Sequence, residues 1–365
     1  MKLIEPEFLE ALYRVRAVGK FQIAKELASI LNEDLRSVLM RINNLLKIEY
    51  LWFSTEYSLR ALGLKLMIIV TDKNLLTEPS AKFMKFIRAT AYVFPDKYFY
   101  SLYIPKDAGD VSIPSKLLEG AVIMEFHERL RNRTSFTRYG IDTVFSPEKG
   151  FSRESFKRLE MTVRDFMVKQ SVEARNSDDR LSKIVFDAVD LGIIKELEKN
   201  PFAKQSEIAR ALGVSLGKLR RHAANHMPYL VKGIRLMCLP IYPAALGTAL
   251  VMRIKSRSSK DVVSLCEALV THPVVVSCVY NVSDGSSLAQ FIVPFSMVRH
   301  VAELFESIGR EYGFEVSRDA MWLANIEFGK RFTLPYKRWE EYVPKMSWNV
   351  DELRRIFGGF GGKGN

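Results

Sequence analysis

The chain has 365 residues, of which 48% are hydrophobic and 26% charged, and its formal net charge is +12. This length allows two or more domains of ordinary size, and the composition is that of a soluble globular protein. The excess of cations favours a polyanionic partner without saying which one.

Cysteine usage and hydropathy indicate a cytoplasmic protein. The three cysteines, Cys238, Cys266 and Cys278, are too few and too widely spaced for a metal cluster. Their odd number argues against a disulfide framework, so we expect buried thiols. Acidic residues near the start of the chain argue against a signal peptide. The longest uncharged run, Leu236 to Met252, contains prolines and therefore predicts strand, turn and strand rather than a membrane span.

Residues 1–60 predict a first winged helix-turn-helix. Apolar residues recur at roughly helical spacing in two helices, at Phe8, Leu12 and Val15 and at Leu35, Leu39 and Ile42. Arg36 and Arg41 could contact DNA from the second of these helices. Glu33 and Asp34 would oppose phosphate at its N-terminus, so a packing or dimerisation role is an equally good interpretation of this unit.

Residues 61–160 predict an alternation of strands and helices. The strands are expected at 64–71, 90–94, 98–104 and 136–145, and the helices at 79–88 and 114–126. This βαββαβ order is that of a ferredoxin-like sandwich. His127, Arg129, Arg131, Arg133 and Arg138 follow as a basic run, which predicts either a solvated face or a second phosphate-binding surface.

Beyond the first sheet we expect an extension and a connector. Phe151 and the stretch 156–160 form an aromatic and basic element that should pack on its own module. Residues 161–188 read as a charged helical connector.

The stretch 205–235 is the centre of the chain's organisation, and it predicts helix, turn, helix and a basic hairpin. Ser206 is the expected N-cap of the first helix, Gly213 supplies the turn, and Ser215 caps the second helix. Apolar Leu216, Leu219 and Ala223 should face inward. The remaining arc and the hairpin then provide the candidate DNA-binding residues Ser215, Lys218, Arg220, Arg221, Asn225, Lys232 and Arg235.

Charge and residue type in this stretch point to the major groove of DNA. Between Lys204 and Arg235 there are seven lysines or arginines and one glutamate. Guanidinium and amide groups can read base edges, and the other cations neutralise phosphates. His222 and His226 share a helix face as metal ligands could, but no Glu-x-x-His motif or nearby cysteine completes a ligand set. We therefore expect them to contact base, phosphate or core.

The second half repeats the order of the first. Ala61-Leu62-Gly63 and Ala245-Leu246-Gly247 lie 184 residues apart, which predicts an internal duplication. The second βαββαβ segment comprises strands at 248–255, 274–282, 288–294 and 314–323 and helices at 260–270 and 296–312. The sequence thus predicts an α+β fold with two copies of a winged helix-turn-helix followed by a ferredoxin-like domain.

The predicted domains follow from this duplication. They are a winged helix-turn-helix at 1–60, a ferredoxin-like domain with its extension at 61–160, a connector at 161–188, a second winged helix-turn-helix at 189–243, a second ferredoxin-like domain with its extension at 244–345, and a tail at 346–365 whose glycine-rich end we expect to be disordered.

This organisation resembles the Lrp/AsnC family of feast-or-famine transcription regulators. The best-matching residues run from Leu191 to Pro201, through the helix-turn-helix, to the stretch Thr271-His272-Pro273-Val274-Val275. The resemblance implies a DNA-binding first domain and a second domain that dimerises and often senses an amino acid. The chain departs from the family in being a tandem fusion. It also reads Gly285-Ser286-Ser287-Leu288 where the family has Gly-x-x-Asp, which puts amino-acid sensing in doubt.

Two other functions fit the same architecture. Siroheme decarboxylases also resemble Lrp/AsnC proteins, but the histidine-rich stretch expected in the second strand reads Ser277-Cys278-Val279-Tyr280-Asn281 here. An RNA-binding or chromatin role is the other alternative, although no RNP-type aromatic run is visible. No P-loop, GxGxxG motif or catalytic constellation stands out, so we expect no enzymatic activity, no metal and no cofactor.

The main prediction is a transcriptional regulator that binds double-stranded DNA through its second helix-turn-helix. The two ferredoxin-like domains should pack on each other within one chain, as two subunits of a family dimer would. A homo-oligomer is possible, a small-molecule effector is left open, and no membrane partner is expected.

Overall fold

The computed structural model describes residues 5–48, 51–75, 87–94, 96–105, 119–140, 153–169, 186–238, 247–324 and 330–331. Its helices are α1 Pro6–Leu12, α2 Lys20–Leu31, α3 Leu35–Leu45, α4 Phe136–Tyr139, α5 Arg153–Lys169, α6 Ala188–Lys199, α7 Gln205–Leu212, α8 Leu216–Asn225, α9 Met227–Leu230, α10 Ser259–Leu269 and α11 Val298–Tyr312. Its strands are β1 Leu51–Tyr57, β2 Leu64–Thr71, β3 Ile87–Phe94, β4 Lys97–Pro105, β5 Val122–Phe126, β6 Glu128–Arg131, β7 Val231–Cys238, β8 Gly247–Ser256, β9 Val275–Asn281, β10 Ser286–Pro294, β11 Phe314–Ala324 and β12 Lys330–Arg331. The predicted α+β fold is confirmed.

The first three helices form an N-terminal helical unit around one apolar core. Asp34 caps α3 by accepting a hydrogen bond from the backbone N–H of Ser37 at 2.9 Å. The buried stripe of α3 is Val38, Ile42 and Leu45, whereas the predicted inner residues Leu35 and Leu39 are only partly buried. Ile234 and Leu236 of β7 also belong to this core. The N-terminal unit is therefore completed by a strand from the second half.

A two-stranded antiparallel sheet joins the two helical units. β1 follows α3, β7 follows α9, and the register runs from Leu51 opposite Cys238 to Tyr57 opposite Val231. The predicted basic hairpin after the second unit is thus wrong, because residues 231–238 form one strand whose partner is β1. Gly233 is required there, since its φ is +151° and a Cβ would collide with the carbonyl oxygen of Tyr13.

The remaining strands form one large antiparallel sheet. Its order is β5-β2-β4-β3-β11-β8-β10-β9-β6, with β12 beside β3. The first-half run β5-β2-β4-β3 and the second-half run β11-β8-β10-β9 have the same internal order. The two runs are hydrogen-bonded to each other where β3 pairs with β11. In addition β6, which follows β5 in the chain, pairs with β9 at the other edge of the second-half run. The two halves therefore meet edge to edge at two places.

The second half matches the predicted βαββαβ order element by element. Helices α10 and α11 pack on its strands, and their buried residues share one core with β8, β9 and β10. In the first half, residues 79–86 and 114–118 of the two predicted helices lie outside the described residues. Where they are described, residues 87–88 and 122–126 are strand, so those ends of the prediction are wrong.

The last strand of the first half is also misplaced in the prediction. We expected it at 136–145, but Phe136–Tyr139 is a short helix and residues 141–145 lie outside the described part. The strand is instead β5, and β6 continues it after His127. The backbone N–H of His127 donates to the carbonyl of Tyr280 at 3.2 Å, so this break is where the chain passes from the first run of strands to the second.

The extension helix α5 does not pack on the module from which it emerges. Its buried residues Phe156, Leu159 and Val163 belong to the core formed by α10, α11 and their sheet. Ser155 of α5 hydrogen-bonds the imidazole Nε2 of buried His272 at 2.7 Å. Burial lowers the pKa of His272 to about 3, so this imidazole is neutral near pH 7. The prediction of packing on its own module is wrong, because α5 covers the helices of the second half.

Two of the three cysteines are paired. Cys266 of α10 and Cys278 of β9 are joined by a disulfide, with their Cα atoms 5.5 Å apart, and both are fully buried. The expectation of free thiols is therefore wrong for this pair, because packing α10 on β9 places the two side chains together.

Removing the disulfide should destabilise the second half. A double Cys266→Ala, Cys278→Ala variant is expected to lower the free energy of unfolding by about 2–4 kcal/mol, because the bridge closes a 12-residue separation in the unfolded chain. Urea unfolding of the oxidised wild type and the variant measures this difference. Equal unfolding midpoints would contradict a stabilising disulfide.

No helix in the described residues is long and apolar enough to cross a membrane.

Candidate DNA-binding surface

The second helical unit consists of α6, α7 and α8. Asp187 caps α6, and its side chain accepts hydrogen bonds from the N–H groups of Val189 at 2.8 Å and Asp190 at 3.3 Å. Helix α7 starts one residue before Ser206, so the predicted cap there is wrong. The backbone N–H of Lys204 is instead satisfied by the Glu207 carboxylate at 3.0 Å.

The turn between α7 and α8 has the predicted geometry. Gly213 is left-handed with a φ of +66°, which a residue without Cβ adopts at no steric cost. Ser215 then caps α8, because its hydroxyl accepts a hydrogen bond from the N–H of Lys218 at 3.2 Å. Leu219 and Ala223 are buried as predicted, while Leu216 is partly buried. These contacts fix which face of α8 points outward.

The outward face of α8 is basic and exposed. Lys218, Arg220, Arg221 and Asn225 all have exposed side chains. Within the described part of the chain, Lys218, Arg220 and Arg221 form no ion pair. By contrast, Arg41, Arg133, Arg138 and Lys232 each have a carboxylate within 4 Å. Uncompensated cations on one exposed helix face suit a polyanion such as DNA.

Three predicted contact residues are already engaged within the protein. Arg235 is only 1% exposed, and its guanidinium is paired with the carboxylate of Glu56 and donates to the carbonyl of Tyr13 at 3.1 Å. Lys232 is partly buried, with its ammonium 3.3 Å from a carboxylate oxygen of Glu128. The prediction that Arg235 and Lys232 form a DNA-facing wing is therefore corrected, because β7 turns both side chains toward acidic partners. The hydroxyl of Ser215 is used as a helix cap.

The corresponding helix of the first unit carries less available positive charge. Arg36 is exposed, but Arg41 is paired with Glu5 and with Glu33, each at 3.2 Å, and its guanidinium lies over the ring of Phe8. The side chain of Lys20 donates to Asn43 at 2.5 Å. Arg41 is thus a structural residue of the N-terminal unit, and Arg36 is the exposed member of the predicted pair.

A buried ion pair links the two strands of the two-stranded sheet. Glu56 of β1 is 0% exposed and faces Arg235 of β7, while Arg133 lies 3.4 Å from the same carboxylate. Burial alone would raise the pKa of Glu56, but the nearby cations, with Arg235 the strongest, lower it to about 2. This pair joins the two helical units, since β1 comes from the first and β7 from the second.

The basic run after the first strands of the sheet is only partly exposed. Arg129 is buried, and its guanidinium lies over the rings of Tyr57 and Tyr103. Arg138 is exposed and pairs with Asp165 at 3.4 Å, and the backbone N–H of Arg131 donates to Glu56 at 3.1 Å. The interpretation as a solvated face is therefore wrong for Arg129, and phosphate binding by this run stays a prediction.

The sequence did not predict one side-chain cluster, because its members are far apart in the chain. Asp190 of α6 accepts hydrogen bonds from the Nδ1 atoms of His222 at 2.9 Å and of His226 at 2.8 Å. The i, i+4 spacing of the histidines was visible, but the carboxylate opposite them was not. The two histidines thus face α6 rather than solvent, so they are not part of the exposed face of α8.

Comparison with known families identifies the second helical unit. Residues 186–225 match the profile of a winged helix-turn-helix DNA-binding family. This stretch covers α6, α7 and α8. The chain therefore carries a winged helix-turn-helix DNA-binding domain, as predicted. No curated protein matches the chain in sequence.

Among solved structures, similar chains include two crystal structures of the siroheme decarboxylase NirDL. One, in co-complex with an iron-uroporphyrin III analogue, has a TM-score of 0.47 and 13% identity over 93% of this chain and 97% of that chain. The other has a TM-score of 0.45 and 13% identity over 92% of this chain and 97% of that chain. NirDL is an enzyme, and this finding contradicts our expectation that this chain has no enzymatic activity. At this identity and TM-score the likeness transfers no activity to this chain.

Proposed function

We propose that the protein is a DNA-binding transcriptional regulator in which α8 lies in the major groove. The observation that carries this proposal is the exposed set of Lys218, Arg220 and Arg221, unpaired within the described residues, on the second helix of a winged helix-turn-helix. In this motif the second helix contacts base edges while the first crosses the backbone.

Each side chain on the outer face of α8 has a role that suits its chemistry. Arg220 or Arg221 can donate two hydrogen bonds to the O6 and N7 atoms of a guanine, and Asn225 can pair with the N6 and N7 atoms of an adenine. Lys218 lies in the first turn of α8, where its ammonium and the helix N-terminus both favour a phosphate. Specificity would then come from the arginines and the amide, and general affinity from the lysine.

We propose that the first unit contributes less to DNA affinity and acts mainly as a structural partner. Arg16 of the first unit donates to the carbonyl of Pro228 at 3.0 Å, and Gln205 of the second donates to the carbonyl of Val18 at 2.8 Å. Together with the β1–β7 pairing, these bonds hold α3 and α8 in a fixed relation. The protein would thus present the strongly basic helix α8 beside the less basic helix α3.

The large sheet supports an internal pseudo-dimer. We propose that the two four-stranded runs derive from a duplication and pair as two subunits of a dimer would. What supports this is the identical strand order of the runs, the pairing of β3 with β11, and the pairing of β9 with β6, which follows the first run in the chain. Homo-oligomerisation and a small effector are not needed for this arrangement.

Substitution of one cation in each helical unit distinguishes the contributions of the two units to DNA affinity. Lys218→Ala should weaken binding to all DNA sequences alike and reduce the slope of log affinity against log salt by about one, because one phosphate contact is lost. Arg36→Ala on α3 should have a smaller effect. Fluorescence anisotropy with labelled duplexes at several salt concentrations measures both. A larger loss for Arg36→Ala than for Lys218→Ala would assign DNA binding to the first unit.

A further inference from the structure

We propose that Asp187, Asp190, His222 and His226 form a binding site for a divalent transition-metal ion, with zinc as the best-matched ion. The site lies between the first turn of α6, which supplies the two aspartates, and the last turns of α8, which supply the two histidines. It is distinct from the outward face of α8, since these side chains point toward α6.

The donor atoms of three of these residues already lie close together. The ligand atoms of Asp190, His222 and His226 all lie within 4.8 Å of one another. The Nδ1 atoms of His222 and His226 are 2.9 and 2.8 Å from the two carboxylate oxygens of Asp190. The carboxylate of Asp187 adds a fourth group 3.6 Å from the Nδ1 of His222.

These separations suit a tetrahedral shell. Zinc binds imidazole nitrogen and carboxylate oxygen at about 2.0–2.2 Å, so neighbouring donors in a tetrahedron lie about 3.3 Å apart. The three observed separations lie within about half an ångström of that value, the two shorter ones being hydrogen bonds to different oxygens of Asp190. An ion would enter as the imidazoles and carboxylates move apart, and it would replace the Nδ1 protons that donate to Asp190. Two imidazoles and two carboxylates form a donor set that zinc and its neighbours in the series accept.

The site has a buried carboxylate at its base and is accessible to an ion from one side. Asp190 is 0% exposed, which anchors the carboxylate away from solvent, and its Oδ2 also accepts the N–H of Asp187 at 2.9 Å. The side chains of His226 and Asp187 are 29% and 48% exposed, so an ion can reach the site from that side. The carboxylate–imidazole hydrogen bonds hold the donors together before the ion arrives, which lowers the cost of ordering them.

An ion at this place would tie the DNA-reading helix to the first helix of its domain. Because the unfolded chain does not hold the four groups together, ion binding would stabilise the winged helix-turn-helix, and the gain would rise with the logarithm of the ion concentration above the dissociation constant. The orientation of α8 would then depend on the ion. Any effect on DNA affinity rests on the proposed function, whereas ion binding itself does not.

The test is metal binding by the full chain, without an affinity tag and after chelator treatment. Isothermal titration with Zn²⁺ should show one ion per chain, and Co²⁺ should give the visible absorption bands of a tetrahedral site. A His222→Gln, His226→Gln variant should bind at least about 100-fold more weakly, and Asp187→Asn about tenfold more weakly. The matched control is a His127→Gln, His300→Gln variant, which removes two histidines from the sheet and α11 and should bind as the wild type does.

Stability provides a readout that separates a poor fold from a lost site. Zn²⁺ should raise the unfolding temperature of the wild type and of the control, but not that of the His222→Gln, His226→Gln variant, whose far-ultraviolet circular dichroism should match the wild type. If the double variant does not fold, the single variant His226→Gln, which changes only a partly exposed residue, replaces it in both measurements. Absence of binding to the wild type at 100 µM Zn²⁺, or equal binding by the wild type and the cluster variants, would overturn the proposal. If the wild type binds zinc but not DNA, the proposed function is contradicted and the metal-site proposal is supported.

Discussion

Replacing Glu56 by glutamine should lower the free energy of unfolding by about 3–5 kcal/mol, because it leaves the buried guanidinium of Arg235 without its counter-ion. Glu56 and Arg235 are 0% and 1% exposed, so water cannot compensate for the lost charge. The carboxylate also accepts the backbone N–H of Arg131 at 3.1 Å and faces Arg133 at 3.4 Å. Glutamine keeps one acceptor oxygen but removes the negative charge that Arg235 and Arg133 share.

The same pair predicts how stability depends on pH. The pKa of Glu56 falls from the usual 4.5 of a glutamate side chain to about 2 in the folded chain. Its contribution is therefore fully present above pH 4.5 and is lost as the pH falls toward 2, and the shift corresponds to about 3 kcal/mol. Urea unfolding of the wild type should show this loss in that window, and Glu56→Gln should lack it.

Glu306→Gln is the matched control for the Glu56 variant. Glu306 is a largely exposed residue of α11 that pairs with Arg310 at 2.9 Å, and exposed pairs contribute little. Its removal should change the free energy of unfolding by less than about 0.5 kcal/mol. Equal effects of the two substitutions would show that the Glu56–Arg235 pair is not what joins the helical units.

Local signals in the sequence were sufficient to predict the second helix-turn-helix. Gly213 and Ser215 define the turn and the cap through their own backbone and side-chain chemistry, so the bounds of α7 and α8 follow within a residue or two. The second-half strands of the large sheet were equally predictable, because they alternate with two amphipathic helices. In both cases the information lies within a few residues of the element it specifies.

Features that depend on distant partners were not predictable. Arg235 reads as an exposed wing residue until β1 is seen beside β7, when Glu56, 179 residues away, becomes its partner. Likewise, the apolar stripe of α5 predicts burial but not that α10 and α11 will cover it. Asp190 reads as an ordinary first-turn acid of α6, and its position opposite His222 and His226 arises only when α6 and α8 pack.

The second large effect is expected on the outer face of α8. An Arg220→Ala, Arg221→Ala variant should lose about 1–3 kcal/mol of binding free energy for each arginine that contacts a guanine, and it should discriminate less between bases at that position. Stability should change little, because both side chains are exposed and neither forms an ion pair in the described residues. The loss is therefore expected in DNA affinity alone.

The most direct test of the account is the DNA affinity of this double variant against a charge-matched control. Arg299→Ala, Arg310→Ala removes the same charge from exposed positions of α11, where each arginine pairs with a glutamate one turn away. Fluorescence anisotropy across a salt series, on a duplex selected by the wild type, compares the three proteins. We predict near wild-type affinity for the control and at least about tenfold weaker binding, with a shallower salt dependence, for the α8 variant. Equal affinity of the wild type and a correctly folded α8 variant would contradict the assignment of α8 as the DNA-reading helix.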